Sequence, residues 1–487
     1  MTSSQEIFTA LTKSSLGVSS KIFFNAIVIK IIAVFMGPSG VGLFSQIRQI
    51  WQTFTTIGSM NSGAAIIQGI SSRVESEKRV FTSSTFWIIL SLNLLNSSLI
   101  LIFDNEISYY FLKSTDNESI QAIRLLSLST FISVFLIFFS SILNGYRAIG
   151  KYSIVIAVGS FTLMILAWPI AIQSSSFGLE FVLILIVSEF LALVICIILL
   201  FKKYLFLFNL PPKARFINNV KDFFKTSSIL LITGIYTMLV LLFIRIFILD
   251  KYGFYSLGIF DAAWLLCMVY VLLITKSFGT YFLPKFSGIE DPIIRNNLIN
   301  DGLRIVILVS VPIIVIMINI KPFIIRLLYT IEFNESLELM QWMLIGDFFK
   351  ITSWFLAFTI LAYKDMRIFL WSELIFNSAL LFGILSAISF FDTLEVVGII
   401  FLLITIPYFI FTIRYNQIKH GLKFNKSLLL AIVFAILIIT ISSIATWNIL
   451  LIDYRISIIN IIISIAFSWF VLNIEEKKSI LNFIYRF

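Results

Sequence analysis

Basic side chains recur in this sequence where water should be scarce. Lys21, Lys30, Arg48, Arg124, Arg245, Lys276 and Lys350 fall inside or at the edges of long apolar runs, together with the acids Glu189, Asp261, Asp347 and Glu373. A charge at the centre of a membrane helix costs about 2.5–3.5 kcal/mol on insertion scales, so the cations facing lipid together would cost on the order of 20 kcal/mol. Most of them must face protein or water instead. Buried Lys and Arg bind phosphate oxygens through charge-assisted hydrogen bonds, which Arg makes in bidentate fashion. A ladder of such groups suits an anionic substrate that crosses while paired; a cavity for a hydrophobic cation would need acids and aromatic rings without a basic excess. Asp261, Asp347 and Glu373 are the candidate carriers of a coupling proton or sodium ion. Glu189 reads as a satisfied packing residue.

Other chemistries lack their residues. The single histidine, His420, lies in a basic loop, which leaves little room for His-dependent acid–base or zinc chemistry. Cys196 and Cys267 both fall in apolar helices, so neither a disulfide framework nor a metal site is indicated. There is no P-loop, no G-x-S-x-G and no glycine-rich dinucleotide motif, and no cofactor is expected. Without an ATPase module, uphill work must draw on an ion gradient or on consumption of the product outside.

The elements that carry the charges follow from spacing. Ser45, Arg48, Gln52, Thr55 and Ser59 recur at steps of three or four, one polar face of the helix after Gly37-Pro38-Ser39-Gly40. That stripe favours a wet cavity, with Arg48 snorkelling to an interface as the alternative. Lys21 and Asn25 share a face of the first helix, whereas Lys30, nine residues on, lies half a turn round. Asp347 and Lys350 stand at i, i+3, close enough for an intrahelical ion pair, and Trp354 continues their face as packing or as the floor of a sugar-binding surface. By depth, Arg48, Arg245 and Asp261 lie toward the outer mouth, Lys350 near mid-membrane, Lys21 and Lys276 toward the inner side.

Of 487 residues, 59% are hydrophobic and 13% charged, and apolar runs of membrane-spanning length recur from end to end: this is an all-α polytopic membrane protein. Twelve spans are read between residues 16 and 414, with two further ones near 428–450 and 456–473. Lys and Arg concentrate in alternate loops, which puts both termini on the cytoplasmic side. The net charge of +10 therefore sits in short loops, and nucleic acid is not an expected partner. The densest basic loop, 202–226, contains Pro211-Pro212 and reads as a linker after six spans. The expected division is 1–205 as an N-terminal six-helix bundle, 206–226 as linker, 227–415 as a C-terminal six-helix bundle, and 416–487 as an extension with one or two more spans. The halves repeat: Val41-Gly42-Leu43-Phe44 against Leu257-Gly258-Ile259-Phe260 at an offset of 216, and Gly145-Tyr146-Arg147 against Ala362-Tyr363-Lys364 at 217. Six spans per half make this a parallel repeat, its pseudo-two-fold axis along the membrane normal.

Three segments carry a resemblance: AVFMGPSGVGLFSQIRQ (33–49), YSLGIFDAAWLLCMVYVLLITKSFGTYFLPKFS (255–287) and LMQWMLIGDFFKITSWFLAFTILAYKDMRIFLWSE (339–373). Together they resemble the O-antigen and enterobacterial-common-antigen (lipid III) translocases, Wzx-type flippases of the multidrug/oligosaccharidyl-lipid/polysaccharide exporter superfamily. The resemblance implies a MATE-like two-bundle fold with alternating access in the bacterial inner membrane. It implies an undecaprenyl-diphosphate-linked oligosaccharide as substrate, membrane lipid around it, and a glycan polymerase and chain-length regulator as partners. The basic cavity positions it implies are Lys21, Lys30, Arg48, Arg245 and Lys350, with Asp347 and Glu373 beside them; a bend before Gly37-Pro38 would let Lys30 join Lys21. The two extra C-terminal spans depart from the usual twelve, and fourteen spans is commoner in lipid II flippases, an alternative reading, and in some polysaccharide exporters. An ion-coupled drug or metabolite exporter of the same superfamily is the nearest rival. A membrane glycan polymerase or ligase would need a long outer loop that this sequence lacks.

Overall fold

The computed structural model of the protein describes residues 3–173, 179–201, 213–289, 291–447 and 454–471. In chain order its helices are α1 (Ser3–Ser59), α2 (Gly63–Ser71), α3 (Glu75–Ile102), the short α4 (Asp104–Ile107), α5 (Asn117–Gly145), α6 (Ile149–Gln173) and α7 (Leu179–Phe201). Then follow α8 (Lys213–Gly288), α9 (Pro292–Leu328), α10 (Ser336–Ala362), α11 (Met366–Phe390), α12 (Glu395–His420), α13 (Lys426–Ala445) and α14 (Tyr454–Val471). Among the described residues, 11 helices are long and apolar enough to cross a membrane. About 20 residues suffice for one crossing. The apolar stretches Ser19–Ser71 and Leu231–Gly279, 53 and 49 residues long, therefore each hold two.

Each double-length stretch is broken at one glycine. Gly37 has φ 63° and ψ −163°, Gly253 φ 77° and ψ −177°. That combination belongs almost only to glycine. The expected four-residue turn at Gly37 is thus a one-residue kink, because Pro38 is pre-set for the first turn of the next helix. The kink follows both Lys21 and Lys30, so it does not swing one toward the other. A second break was not expected: Met60 and Asn61 take left-handed φ of 50° and 48°, ending α1 before α2.

The chain forms two compact units, Met1–Gly258 with Leu328–Thr330, and Ile259–Leu327 with Ile331–Phe487. In the first, α5 and α6 both pack on α7 and α6 packs on α1. In the second, α10 and α11 pack on α12. The two triplets match: adding 217 to α6 gives the bounds of α11, and the left-handed residues Arg147 and Lys364 precede them at that same offset. The kinks at Gly37 and Gly253 are 216 apart. The duplication read from two short motifs is therefore written into the backbone.

Lipid tails give helices no hydrophobic reason to associate, so close packing and polar contacts must do it. In the second unit Asn319 donates to Ser442 Oγ (2.8 Å), Asn460 to Asn319 Oδ1 (3.3 Å), Gln341 to the Ser443 carbonyl (2.6 Å) and Ser468 to the Leu308 carbonyl (2.8 Å). These bonds dock α13 and α14 on α9 and α10. Of the expected linker, 206–212 lies outside the described residues, as do the basic Lys202, Lys203, Lys477, Lys478 and Arg486 and the turn at Asp453. From Lys213 the linker is the start of α8.

Candidate functional site

The first unit gathers one charged group and disperses the rest. Arg48 is half-buried on α1, and among the described residues its guanidinium makes no hydrogen bond or ion pair. The acid that acts on it electrostatically is Glu189 on α7, which Lys21 also reaches through space. Glu189, half-buried, is therefore within electrostatic reach of two cations of α1 and is more than packing. Periodicity on α7 alone could not have shown this, since the helix is apolar all round. Lys21 is exposed and Gln52 half-buried, one turn beyond Arg48.

Lys30 and Arg245 sit elsewhere. Lys30 donates to the Tyr329 carbonyl (2.5 Å), consistent with its half-turn rotation from Lys21. Arg245, on α8 and 4% exposed, donates from Nε to Gln46 Oε1 (3.1 Å), whose amide donates in turn to the Phe111 carbonyl (2.9 Å). Arg124 pairs with Asp104 at the rim, and Lys113 with Asp250 (2.9 Å). Burial separates these two kinds of cation energetically. Arg245→Ala leaves a buried amide oxygen unsatisfied and should cost about 1–3 kcal/mol. Lys113→Ala removes a solvated pair and should cost less than about 1 kcal/mol. Thermal unfolding of the purified variants checks the ranking, and equal midpoints would refute it.

In the second unit the site is a buried cluster on α8, α10, α11 and α12. The Lys350 ammonium stands 4.9 Å from the Trp354 ring centre, 5.0 Å from Phe401, and 5.7 Å from Trp264 and Phe376. Met268 Sδ is 3.6 Å away. Such a box holds a cation by the negative faces of its rings. The i, i+3 contact with Asp347 is not made: Asp347 accepts from the Tyr270 hydroxyl through Oδ2, and its Oδ1 has no hydrogen-bond partner. Glu373 accepts from Tyr408 (2.7 Å). Asp347 and Glu373 still act on Lys350 through space, so one ammonium serves a buried carboxylate and a half-buried one. Asp261 is buried and Lys276 exposed on the same α8. At fifteen residues apart they are about 22 Å apart along it. Among the described residues there is no cluster of metal-ligating side chains.

Helix number, the paired kinks and the buried charges define a multi-pass membrane protein of MATE-like fold. The structure "Lipid II flippase MurJ, inward closed conformation" superposes with TM-score 0.67 at 17% identity, covering 96% of this chain and 100% of that one. The inward-facing multidrug resistance MATE family transporter of the MOP superfamily gives TM-score 0.67 at 13% identity, covering 84% and 98%. The difference in coverage is about the size of the segment carrying α13 and α14. In sequence, the Lipid III flippase of Escherichia coli (strain K12) is 22% identical over 376 residues, 75% of this chain and 88% of the relative, and that of Shigella flexneri matches equally. The family described as "Polysaccharide biosynthesis protein" matches residues 12–290, more than half of the chain. The chain belongs to that family.

Proposed function

We propose that the protein is a flippase that carries a polyprenyl-diphosphate-linked oligosaccharide from the cytoplasmic to the periplasmic leaflet of a bacterial inner membrane by alternating access. The observation that carries this reading is Arg48, a half-buried guanidinium on a spanning helix that makes no hydrogen bond or ion pair among the described residues, with Glu189 acting on it only through space. A diphosphate would supply the missing acceptors, in the bidentate geometry Arg favours. Lys21 and Lys30 on α1, Arg245 and Lys276 on α8 and Lys350 on α10 are the further basic groups proposed to meet the anion, each considered within its own unit. Gln52 and Trp354 offer a hydrogen bond and a ring face to the glycan. Asp347 and Glu373 compete with the substrate for Lys350, so a proton or sodium ion at either carboxylate frees the ammonium; Asp261 is a third carrier of that kind. The functional division remains two six-helix bundles, 1–205 and 227–415, joined by the cytoplasmic linker 206–226, with 416–487 as an extension and both termini cytoplasmic. The protein is a transporter rather than an enzyme, and it hands its cargo to a glycan polymerase and chain-length regulator.

A second reading, export of a drug or metabolite cation, draws on the acids and aromatic rings around Lys350, the features such a cavity needs. One measurement separates the two. Purified protein is placed in vesicles containing polyprenyl-diphosphate glycans, and leaflet transfer is scored with and without a pH gradient. Transfer should be accelerated and should collapse in Arg48→Ala. Export of cationic dyes without any glycan-lipid transfer would overturn the proposal.

A further inference from the structure

A second buried cation lies in the same unit, on α9 rather than on α10 with Lys350. Lys321, near the end of α9, is 0% exposed, and among the described residues its Nζ has no hydrogen-bond partner. It lines a cavity of ≈ 230 Å³ with Glu338, Gln341, Trp342, Glu395 and Trp447. Gln341 spends its amide on Ser443, which leaves its Oε1 buried without a donor. Trp342 donates to Glu395 Oε1 (2.6 Å) and meets Trp447 edge to face at 5.0 Å. The cavity thus presents one orphaned cationic donor, one orphaned acceptor and the Glu338 carboxylate.

Buried polar groups are retained unsatisfied only rarely, so the pattern describes what is bound. The occupant needs an anionic group for Lys321 and a hydrogen-bond donor, best a cationic one, for Gln341 and Glu338. At ≈ 230 Å³ the cavity falls below the ~300 Å³ at which drug-sized pockets begin, so it takes one small headgroup rather than an oligosaccharide. Its apolar continuation tells what is attached. Trp342 and Trp447 also line a groove of ≈ 420 Å³ running between α10, α12 and α13 along Ile345, Leu402, Ile436 and Ile439. At its rim Ile444 is 71% and Trp447 49% exposed, where a membrane helix meets acyl chains.

We infer that this cavity and groove bind one aminophospholipid of the surrounding bilayer, with its phosphate on Lys321, its primary amine at Glu338 and Gln341, and an acyl chain along α13. The site uses none of the residues proposed to meet the cargo and does not depend on what is carried there. It gives the C-terminal helix α13 a role, since α13 supplies the groove wall and Trp447 follows directly after it.

The test uses the full-length protein, delipidated and re-exposed to phosphatidylethanolamine, phosphatidylcholine or phosphatidylglycerol with identical acyl chains, with retained lipid counted by native mass spectrometry. Phosphatidylethanolamine should be held at least tenfold more tightly than the choline lipid, which has no N–H donor, and than the glycerol lipid, which has no cation. Lys321→Met and Glu338→Gln should each erase that preference. Lys321→Met removes an ammonium that makes no hydrogen bond and keeps the packed stem, while the exposed Glu338 stays solvated; an unchanged unfolding midpoint verifies for both variants that folding is intact. Equal retention of the three lipids, a preference that survives both substitutions, or one-for-one displacement by a polyprenyl diphosphate would overturn the inference.

Discussion

Gly42→Ala and Gly258→Ala should each lower stability far more than Gly421→Ala, and valine at either position should abolish assembly. A Cβ at Gly42 would lie 2.1 Å from the Phe254 carbonyl oxygen and 2.9 Å from the Gly258 nitrogen. One at Gly258 would lie 2.0 Å from the Pro38 carbonyl oxygen and 3.1 Å from the Gly42 nitrogen. Pro38 and Phe254 are themselves 216 apart, so the contact is reciprocal: each glycine packs on the carbonyl that corresponds to its partner's. Both obstacles are backbone, and no side chain can rotate away. Small residues let membrane helices approach to this degree, and nothing larger does. Overpacking an ordinary site costs about 1–3 kcal/mol, and a rigid backbone clash belongs at or beyond the top of that range. Gly421 is the control. Its φ is 65°, but a Cβ there meets nothing within 4 Å. Gly421→Ala should cost only the left-handed strain of about 1–2 kcal/mol. Thermal unfolding of the detergent-purified variants decides the matter; a wild-type midpoint for Gly42→Ala would show that the two helices have room to part.

The same crossing shows what a sequence of this kind reveals. The Val41-Gly42-Leu43-Phe44 and Leu257-Gly258-Ile259-Phe260 segments are legible as a repeat because the geometry they serve tolerates only glycine at one position in four. The kinks at Gly37 and Gly253 and the left-handed Arg147 and Lys364 keep the same spacing, so backbone constraints surface as motifs. Side-chain partnerships do not. Asp347 and Lys350 are neighbours on one helix, yet Asp347 takes a hydroxyl from Tyr270, 77 residues away, while Lys350 turns to rings on α8, α10, α11 and α12. Helical spacing says that two groups can meet, and the third dimension supplies better partners. Glu189 was misread for the related reason that an apolar helix hides which way its one acid points. Nor does spacing show that Lys321 is buried, since residues of α10, α12 and the end of α13 enclose it. The break at Met60-Asn61 has no proline to announce it.

Lys350→Met should stop transport, and the way it does so distinguishes a substrate ligand from a structural counter-ion. Removing the ammonium leaves Asp347 buried, and Glu373 half-buried, without their cation, and breaking a buried charge cluster from one side costs about 3–5 kcal/mol. The single variant is therefore expected to be unstable as well as inactive, which by itself proves little. Lys350→Met/Asp347→Asn removes one charge of each sign from the box formed by Trp264, Trp354, Phe376 and Phe401. The asparagine can still accept from Tyr270, and the methionine fills an aromatic site well. This pair should recover most of the lost unfolding midpoint. It should not recover transport: a charge-assisted hydrogen bond to a phosphate oxygen is worth about 1.5–3 kcal/mol, so its loss slows leaflet transfer roughly 10- to 150-fold. Lys350→Arg should rescue poorly too, since a planar guanidinium needs more room than four rings at 4.9–5.7 Å leave around a point charge. If the stable double variant transports glycan lipid at the wild-type rate, Lys350 serves only to neutralise its two carboxylates, and the cargo's charge must be met by Arg48 and its neighbours on α1.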